Sequence, residues 1–205
     1  MDFNQRAKDW DKDPKREERA KAFAGEILEF LGNKNLRNAI EFGSGTGLVS
    51  FRMKDRFETI TLADNSSGMM EVLVEKIRME KIVNMKPFLI DDINNLARLS
   101  GFDIIYTLLT LHHVKNIDSL LNDFSSVLLT GGYVCLGDLI TEDGSFHHKD
   151  PDFDGHNGFD PEWIKALLTS KGFRIELEKI FFVIEKEYDS EIKNYPLFLI
   201  IGKKL

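Results

Sequence analysis

Residues 37 to 47 read Arg-Asn-Ala-Ile-Glu-Phe-Gly-Ser-Gly-Thr-Gly, a short apolar strand that runs into an acid and three glycines at alternate positions. Lacking a Cβ, the chain at Gly43, Gly45 and Gly47 can turn tightly and let a ligand come close to the backbone. A second acid, Asp64, ends the next apolar stretch, Ile60 to Asp64. Two acids at the ends of successive strands, beside a glycine turn, place a nucleoside-bearing ligand across the carboxyl edge of a parallel sheet. The segment points to a fold and to a bound ligand together.

The dinucleotide fingerprint is G-x-G-x-x-G/A, whose third small residue lets helix and strand pack closely. Counted from Gly43, that third position is Leu48, and the fingerprint has no place for Glu41 ahead of the glycines. The pattern is instead Glu-x-Gly-x-Gly-x-Gly. Ligand charge gives a reason for the difference. A pyrophosphate favours bare backbone N–H groups at a helix N-terminus, whereas a ligand with a cationic group favours a nearby carboxylate.

Strand and helix alternate along the chain. Asp13-Pro14 starts a helix, with an N-cap acid and proline at the first helical position. Ala20, Phe23, Ala24, Ile27, Leu28 and Leu31 follow at helical spacing, and Gly32 is the stop. Strands are read at 37–42, 58–64, 86–90, 102–107 and 132–139, with helices over 66–81 and 117–129. The runs at 102–107 and 132–136 are continuously apolar, as in strands covered by helices on both faces. Each interval is long enough for a parallel crossover. A loop from Thr141 to Phe159, rich in Asp, His, Gly and Phe, precedes a helix opened by Asp160-Pro161 and closed by Gly172. Trp163, in its first turn, reads as core or as a hydrophobic staple.

Two last strands, 173–184 and 195–202, flank the polar residues 185–194. Joined without a helix, they pair antiparallel. The run Phe181-Phe182-Val183-Ile184 reads as buried strand. The expected fold is α/β: a single-domain, Rossmann-like, seven-stranded, mostly parallel sheet with a C-terminal antiparallel hairpin and helices on both faces. One domain spans 1–205: an N-terminal lid segment and helix (1–32), a cofactor-binding core (33–140), and a substrate-side loop, helix and hairpin (141–205).

Composition bounds the partners. A chain of 205 residues can bury a real core as one domain. The 27 basic and 34 acidic side chains give net charge −7, which argues against a nucleic-acid-binding surface. No apolar run approaches the ~20 residues of a membrane span, and the first residues lack the apolar region of a signal peptide. The single cysteine, Cys135, forms no internal disulfide and no cysteine metal cluster, so a cytoplasmic protein is expected. Cys135 itself reads as a small core residue. Monomer and homodimer both remain open.

The motif Glu41-x-Gly43-x-Gly45-x-Gly47 resembles the first motif of the class I S-adenosylmethionine-dependent methyltransferases, and the likeness extends over nearly the whole chain. It implies that Glu41 and the three glycines, with Phe42 and Ser44 among them, hold the amino-acid end of S-adenosylmethionine. Asp64 matches the acid that binds the two ribose hydroxyls, for which a carboxylate has two acceptor oxygens. Asp64-Asn65-Ser-Ser-Gly-Met69 is similar to the family's D-x-S-x-x-M, which implies Met69 beside the adenine. Asp92-Ile93-Asn-Asn-Leu96 looks like the loop whose acid takes the adenine amino group, with Asp91 as its neighbouring contender. Phe102 to Val114 resembles the fourth motif, with Thr107 and Leu108 at the strand end facing the sulfonium methyl. Leu128-Leu-Thr-Gly-Gly132 is similar to the family's L-x-P-G-G turn into strand five, Thr130 replacing the proline. Trp10 joins this set as part of a lid. Within the family, Trp10-Asp11 and the loop from Glu142 to His148 look most like the ubiquinone/menaquinone-methyltransferase-like enzymes of small molecules.

All five histidines fall in two places, 112 and 113 after strand four, and 147, 148 and 156 after strand five. Neighbouring strands would put both loops at one mouth of the carboxyl edge. His112, His113 and His147 are therefore nominated as general base or polar wall for a small-molecule methyl acceptor. For His112 and His113, local hydrogen bonds that shape the loop are a competing role. No metal is expected: adjacent His147 and His148 point apart on an extended chain, and the nearby Asp150, Asp152 and Asp154 read as solvated. The resemblance implies transfer of a methyl group, with S-adenosylhomocysteine as product. Because fold alone does not fix function, a nicotinamide-dependent oxidoreductase and a cofactor-binding scaffold stand as alternatives.

Overall fold

A computed structural model of the chain describes residues 3–90, 96 and 98–205. Seven strands form one sheet: β1 (Asn38–Phe42), β2 (Thr59–Asp64), β3 (Met85–Leu89), β4 (Phe102–Leu108), β5 (Leu128–Leu139), β6 (Phe173–Tyr188) and β7 (Glu191–Lys204). Their order is β3-β2-β1-β4-β5-β7-β6. The first five run parallel, and β7 lies antiparallel to both β5 and β6. The chain builds outward from β1 to β3 and then returns to β4 on the other side of β1. That reversal is the topological switch point, where open α/β sheets bind ligands beyond their carboxyl ends.

The helices are α1 (Phe3–Arg6), α2 (Pro14–Leu31), α3 (Leu48–Arg52), α4 (Ser67–Met79), α5 (Ile117–Val127) and α6 (Pro161–Ser170). Asp13 caps α2 by accepting the Lys15 N–H at 3.0 Å, and Gly32 ends it at φ +46°. Two cores explain the unbroken apolar strands. Ile105, Val134 and Ile200 face α5 and α6 on one side of the sheet, with Leu120, Phe124, Ile164 and Leu168. Their neighbours Ile104, Cys135 and Ile201 face the other side, with Phe23, Ile27 and Leu31 of α2 and Met70 and Leu73 of α4. Successive strand residues thus enter opposite cores, so a strand covered on both faces needs apolar side chains throughout. Cys135 is buried and free, as expected of a small core residue.

Three local expectations are corrected. Residues 185–194 are not a loop: β6 and β7 continue as a two-stranded ribbon, pairing Glu185 with Asn194 and Tyr188 with Glu191. Asp189 and Ser190 make the turn with φ of +49° and +66°, the double positive φ of a tight hairpin. Strand β5 begins at Leu128 instead of 132, because Leu128 pairs with Phe102 before the ladder shifts register. The Phe181–Ile184 run is not uniformly buried, since β6 is the sheet's edge: Val183 is 46% exposed and only Ile184 is fully covered.

Candidate cofactor and acceptor site

The glycine loop joins β1 to α3. At Gly43, with φ +69°, a Cβ would lie 2.2 Å from the Thr110 side chain, so the loops after β1 and β4 interlock there. At Gly45, with φ +53°, a Cβ would meet nothing within 4 Å among the described residues. At Gly47 a Cβ would come 2.8 Å from Leu73 and 3.2 Å from Leu62. This third glycine performs the helix–strand packing that the dinucleotide fingerprint assigns to the next residue.

Asp64, at the end of β2, holds the loop in place. Its Oδ2 accepts the Gly45 N–H at 2.7 Å and its Oδ1 the Ser66 N–H at 2.8 Å. Burial raises its pKa, against the lowering effect of those amide donors. Each oxygen keeps a further lone pair for a ligand hydroxyl.

Glu41 is placed differently from Asp64. It lies buried beneath the loop, where its Oε2 accepts both the N–H of Ser50, at 3.2 Å, and the Ser50 hydroxyl. That hydroxyl is also bonded to the Tyr106 hydroxyl at 2.7 Å. Loss of solvent pushes the Glu41 carboxyl up to about 8, despite the two Ser50 bonds. Glu41 therefore ties β1 to α3 from below.

Two hydroxyls in the same region, Ser44 Oγ and Thr107 Oγ1, are buried with no partner among the described residues. They belong to the ends of β1 and β4, the two strands at the switch point. A buried hydroxyl without a hydrogen bond costs free energy, and a polar ligand in the crevice would satisfy both. Of the other sequence-nominated residues, Phe42 packs edge-on against Phe124 in the core and Met69 is fully buried in the first turn of α4. Asn65 is exposed, and Leu108 is half-buried. Asp91, Asp92 and Ile93 lie outside the described residues.

The N-terminal segment crosses this edge. Asn4 Oδ1 accepts the Ser66 hydroxyl at 2.7 Å and the Gly68 N–H at 2.9 Å. Asp11 accepts the Thr46 hydroxyl at 2.5 Å and pairs with Lys76 at 2.6 Å. Phe3 meets His113 edge-on at 5.2 Å, so residues 3–12 join α4 and the glycine loop to the histidines. Trp10 lies in this strap with its ring against Phe3 and under the Arg16 guanidinium, 3.9 Å from the ring centre.

The loops after β4 and β5 bring His112, His113 and His147 together, with ring centroids 4.2 to 5.6 Å apart. Short 3-10 turns, Leu111–His113 and Ser145–His147, hold them. The extended-chain premise for His147 and His148 does not hold in such a turn. His112 and Asp138 are both buried, with Nδ1 2.6 Å from Asp138 Oδ1. Asp138 also accepts the Leu139 N–H, which makes it the acceptor and the His112 Nδ1–H the donor. His113 and His147 are pushed down to about 3 and about 4, first by burial and then by the neighbouring imidazoles. Imidazoles so depressed stay neutral but are weak bases at pH 7; His112 differs in that a buried carboxylate holds its ring. His148 and His156 shape the loop instead, bonding to the carbonyls of Ser145 and Val114. Asp138 was missed from sequence, because a lone acid late in an apolar strand gives no sign of which loop it faces.

A reversed parallel sheet with a terminal antiparallel pair, and a glycine loop clamped by an acid on the next strand, define the class I methyltransferase architecture. Comparison with known proteins agrees. The family described as "Methyltransferase domain" matches residues 40–136. Malonyl-[acyl-carrier protein] O-methyltransferase 1 of Ilyobacter polytropus is 28% identical over 162 residues, 76% of this chain and 59% of that protein. The chain spans 53% of the length of a second curated relative. A SAM-dependent methyltransferase structure from Aquifex aeolicus superposes with TM-score 0.70 at 17% identity, covering 98% of each chain. A phosphoethanolamine N-methyltransferase of Haemonchus contortus, in complex with S-adenosylhomocysteine, gives TM-score 0.68 at 16% identity, over 88% of this chain and 52% of that one. Residues 40–136 thus match a methyltransferase-domain family, and the fold of nearly the whole chain is that of a SAM-dependent methyltransferase. The narrower likeness to the ubiquinone/menaquinone group gains nothing from these matches.

Proposed function

We propose that the protein transfers the methyl group of S-adenosylmethionine to a small-molecule acceptor held against the histidine cluster. The observation that carries this reading is the Asp64 clamp on Gly45, which sets an open backbone face at the switch point of a family sheet. When bound, S-adenosylmethionine supplies an electrophilic methyl on a sulfonium centre. Gly45 and the hydroxyls of Ser44 and Thr107 fit its polar amino-acid end, and Asp64 fits its ribose hydroxyls. Asp91, Asp92 and Ile93 are assigned to the adenine by the family resemblance, with Met69 beneath it. His112, oriented by Asp138, presents its second ring nitrogen as the acceptor's proton acceptor, while His113 and His147 wall the pocket. The strap of residues 3–12 keeps water from the reacting atoms, so catalysis rests on alignment and exclusion of solvent.

The acidic charge, and the lack of any helix among the described residues long and apolar enough to cross a membrane, favour a small cytoplasmic acceptor over nucleic acid or lipid. Thermal unfolding with S-adenosylhomocysteine, S-adenosylmethionine or NAD added separately tests the reading. At about 100 times Kd, linkage predicts ~2.7 kcal/mol of stabilisation, a shift of several degrees. The reading requires a shift with the first two and none with NAD; a shift with NAD alone would replace it with the oxidoreductase.

A further inference from the structure

His112, His113 and His147 come from two loops separated by all of α5 and β5, yet one ring nitrogen of each lies within 4.8 Å of the others. His112 donates its Nδ1–H to Asp138, which leaves Nε2 as its remaining nitrogen. His147 is only 8% exposed, and its Nε2 is buried without a hydrogen-bond partner among the described residues. The His147 ring is held face-on against Phe153, with centroids 3.7 Å apart and planes 10° from parallel. The loop beneath is tight as well, since a Cβ on Gly155 would lie 2.1 Å from the His112 carbonyl. A buried ring nitrogen such as His147 Nε2 is costly unless a donor or a cation meets it, and two further imidazole nitrogens lie close enough to share that cation.

We propose that these three histidines bind one divalent transition-metal ion, zinc by preference, and that its open position takes a hydroxyl- or thiol-bearing acceptor. Three imidazoles with a fourth position left to water or substrate is the donor set of a catalytic zinc site. A buried carboxylate on the far nitrogen of one ligand, as Asp138 is on His112, fixes the tautomer and ring direction. Zinc–nitrogen bonds of about 2.0–2.1 Å put ligand nitrogens ~3.4 Å apart, so the rings close by about an ångström on the ion.

The role for the acceptor rests on the methyl-transfer reading. A coordinated hydroxyl or thiol releases its proton to water more readily. Its lone pair then forms the bond to the methyl carbon, while the methyl–sulfur bond breaks with its electron pair on sulfur. In this arrangement His112 is a ligand and the ion replaces it in activating the acceptor.

The test is zinc uptake by the chelator-stripped full chain, measured by equilibrium dialysis and elemental analysis, with cobalt(II) as a visible-absorption probe. The wild type should take up one ion per chain. His113→Ala and His147→Ala should bind at least about tenfold more weakly and lose the cobalt bands, while His148→Ala keeps both. His113→Gln and His147→Gln, closer in bulk, should show the same losses and take over the test if an alanine variant does not fold. No stoichiometric uptake by the wild type, uptake that survives loss of His113 or His147, or equal loss in His148→Ala overturns the site. The same samples are melted with S-adenosylhomocysteine. Stabilisation without zinc uptake removes the metal site and keeps the methyltransferase; zinc uptake without stabilisation does the reverse.

Discussion

Asp64 Oδ2 accepts the Gly45 N–H at 2.7 Å, so the acid that ends β2 also sets the shape of the loop that follows β1. One carboxylate is the loop clamp and, in the proposed function, also the ribose acceptor, and the two roles can be separated. Asp64→Asn keeps an acceptor for one amide but loses the charge. It should unfold cooperatively, at a cost of about 1–3 kcal/mol, and bind S-adenosylhomocysteine at least about tenfold more weakly by calorimetry. Unchanged affinity would remove Asp64 from the binding site and leave it the clamp alone.

The glycines make a contrasting pair. Gly45→Ala meets no atom of the described residues within 4 Å, so its stability cost is limited to about 1–2 kcal/mol for φ +53°. Its methyl projects into the space assigned to the cofactor, and affinity should fall far more than stability. Gly43→Ala drives a methyl into Thr110 and should be the more destabilising of the two in denaturant unfolding. A Gly45→Ala protein with full cofactor affinity would show that no ligand approaches the backbone there.

Much of the fold is legible in the sequence because double-sided burial leaves a simple mark. Ile104-Ile105 and Val134-Cys135 enter opposite cores, and such runs cannot be mistaken for a solvated strand. The caps at Asp13 and Asp160 are equally plain, since N-cap chemistry is local. The β6–β7 ribbon was not legible. It projects with charged side chains on both faces, and its Asp189-Ser190 turn lacks the glycine that usually marks positive φ. The site divides along the same line. Glycines and strand-end acids are read from local spacing, whereas the Asp138–His112 pair joins residues 26 apart and exists only through the β4–β5 register.

Asp138 is a positioning residue, and its effect can be read without knowing the acceptor. In the wild type, nitrogen NMR of the imidazole should show His112 fixed with its proton on Nδ1. Asp138→Asn should release that preference and destabilise the fold by about 1–3 kcal/mol, because a charged acceptor of buried donors is lost. Cofactor binding should change little, since Asp138 bonds His112 and Leu139 and not the glycine loop. A His112 tautomer that is unaltered in Asp138→Asn would show that the loop backbone, rather than the carboxylate, orients the ring.

Glu41 gives the pH dependence a definite sign. Its folded-state pKa of about 8 lies above the ordinary 4.5, because burial disfavours the charge. Between those values the native state binds more protons than the unfolded chain, so this contribution to stability falls as pH rises. It is complete below pH 4.5 and gone once pH has passed about 8, changing by up to ~1.4 kcal/mol per pH unit. Glu41→Gln keeps an oxygen for Ser50 and cannot ionise. Denaturant unfolding at pH 5, 6, 7 and 8 should therefore show the wild type losing stability relative to Glu41→Gln across the series. Parallel curves would mean that Glu41 is already ionised in the folded protein, held so by Ser50 and Lys76 against its burial.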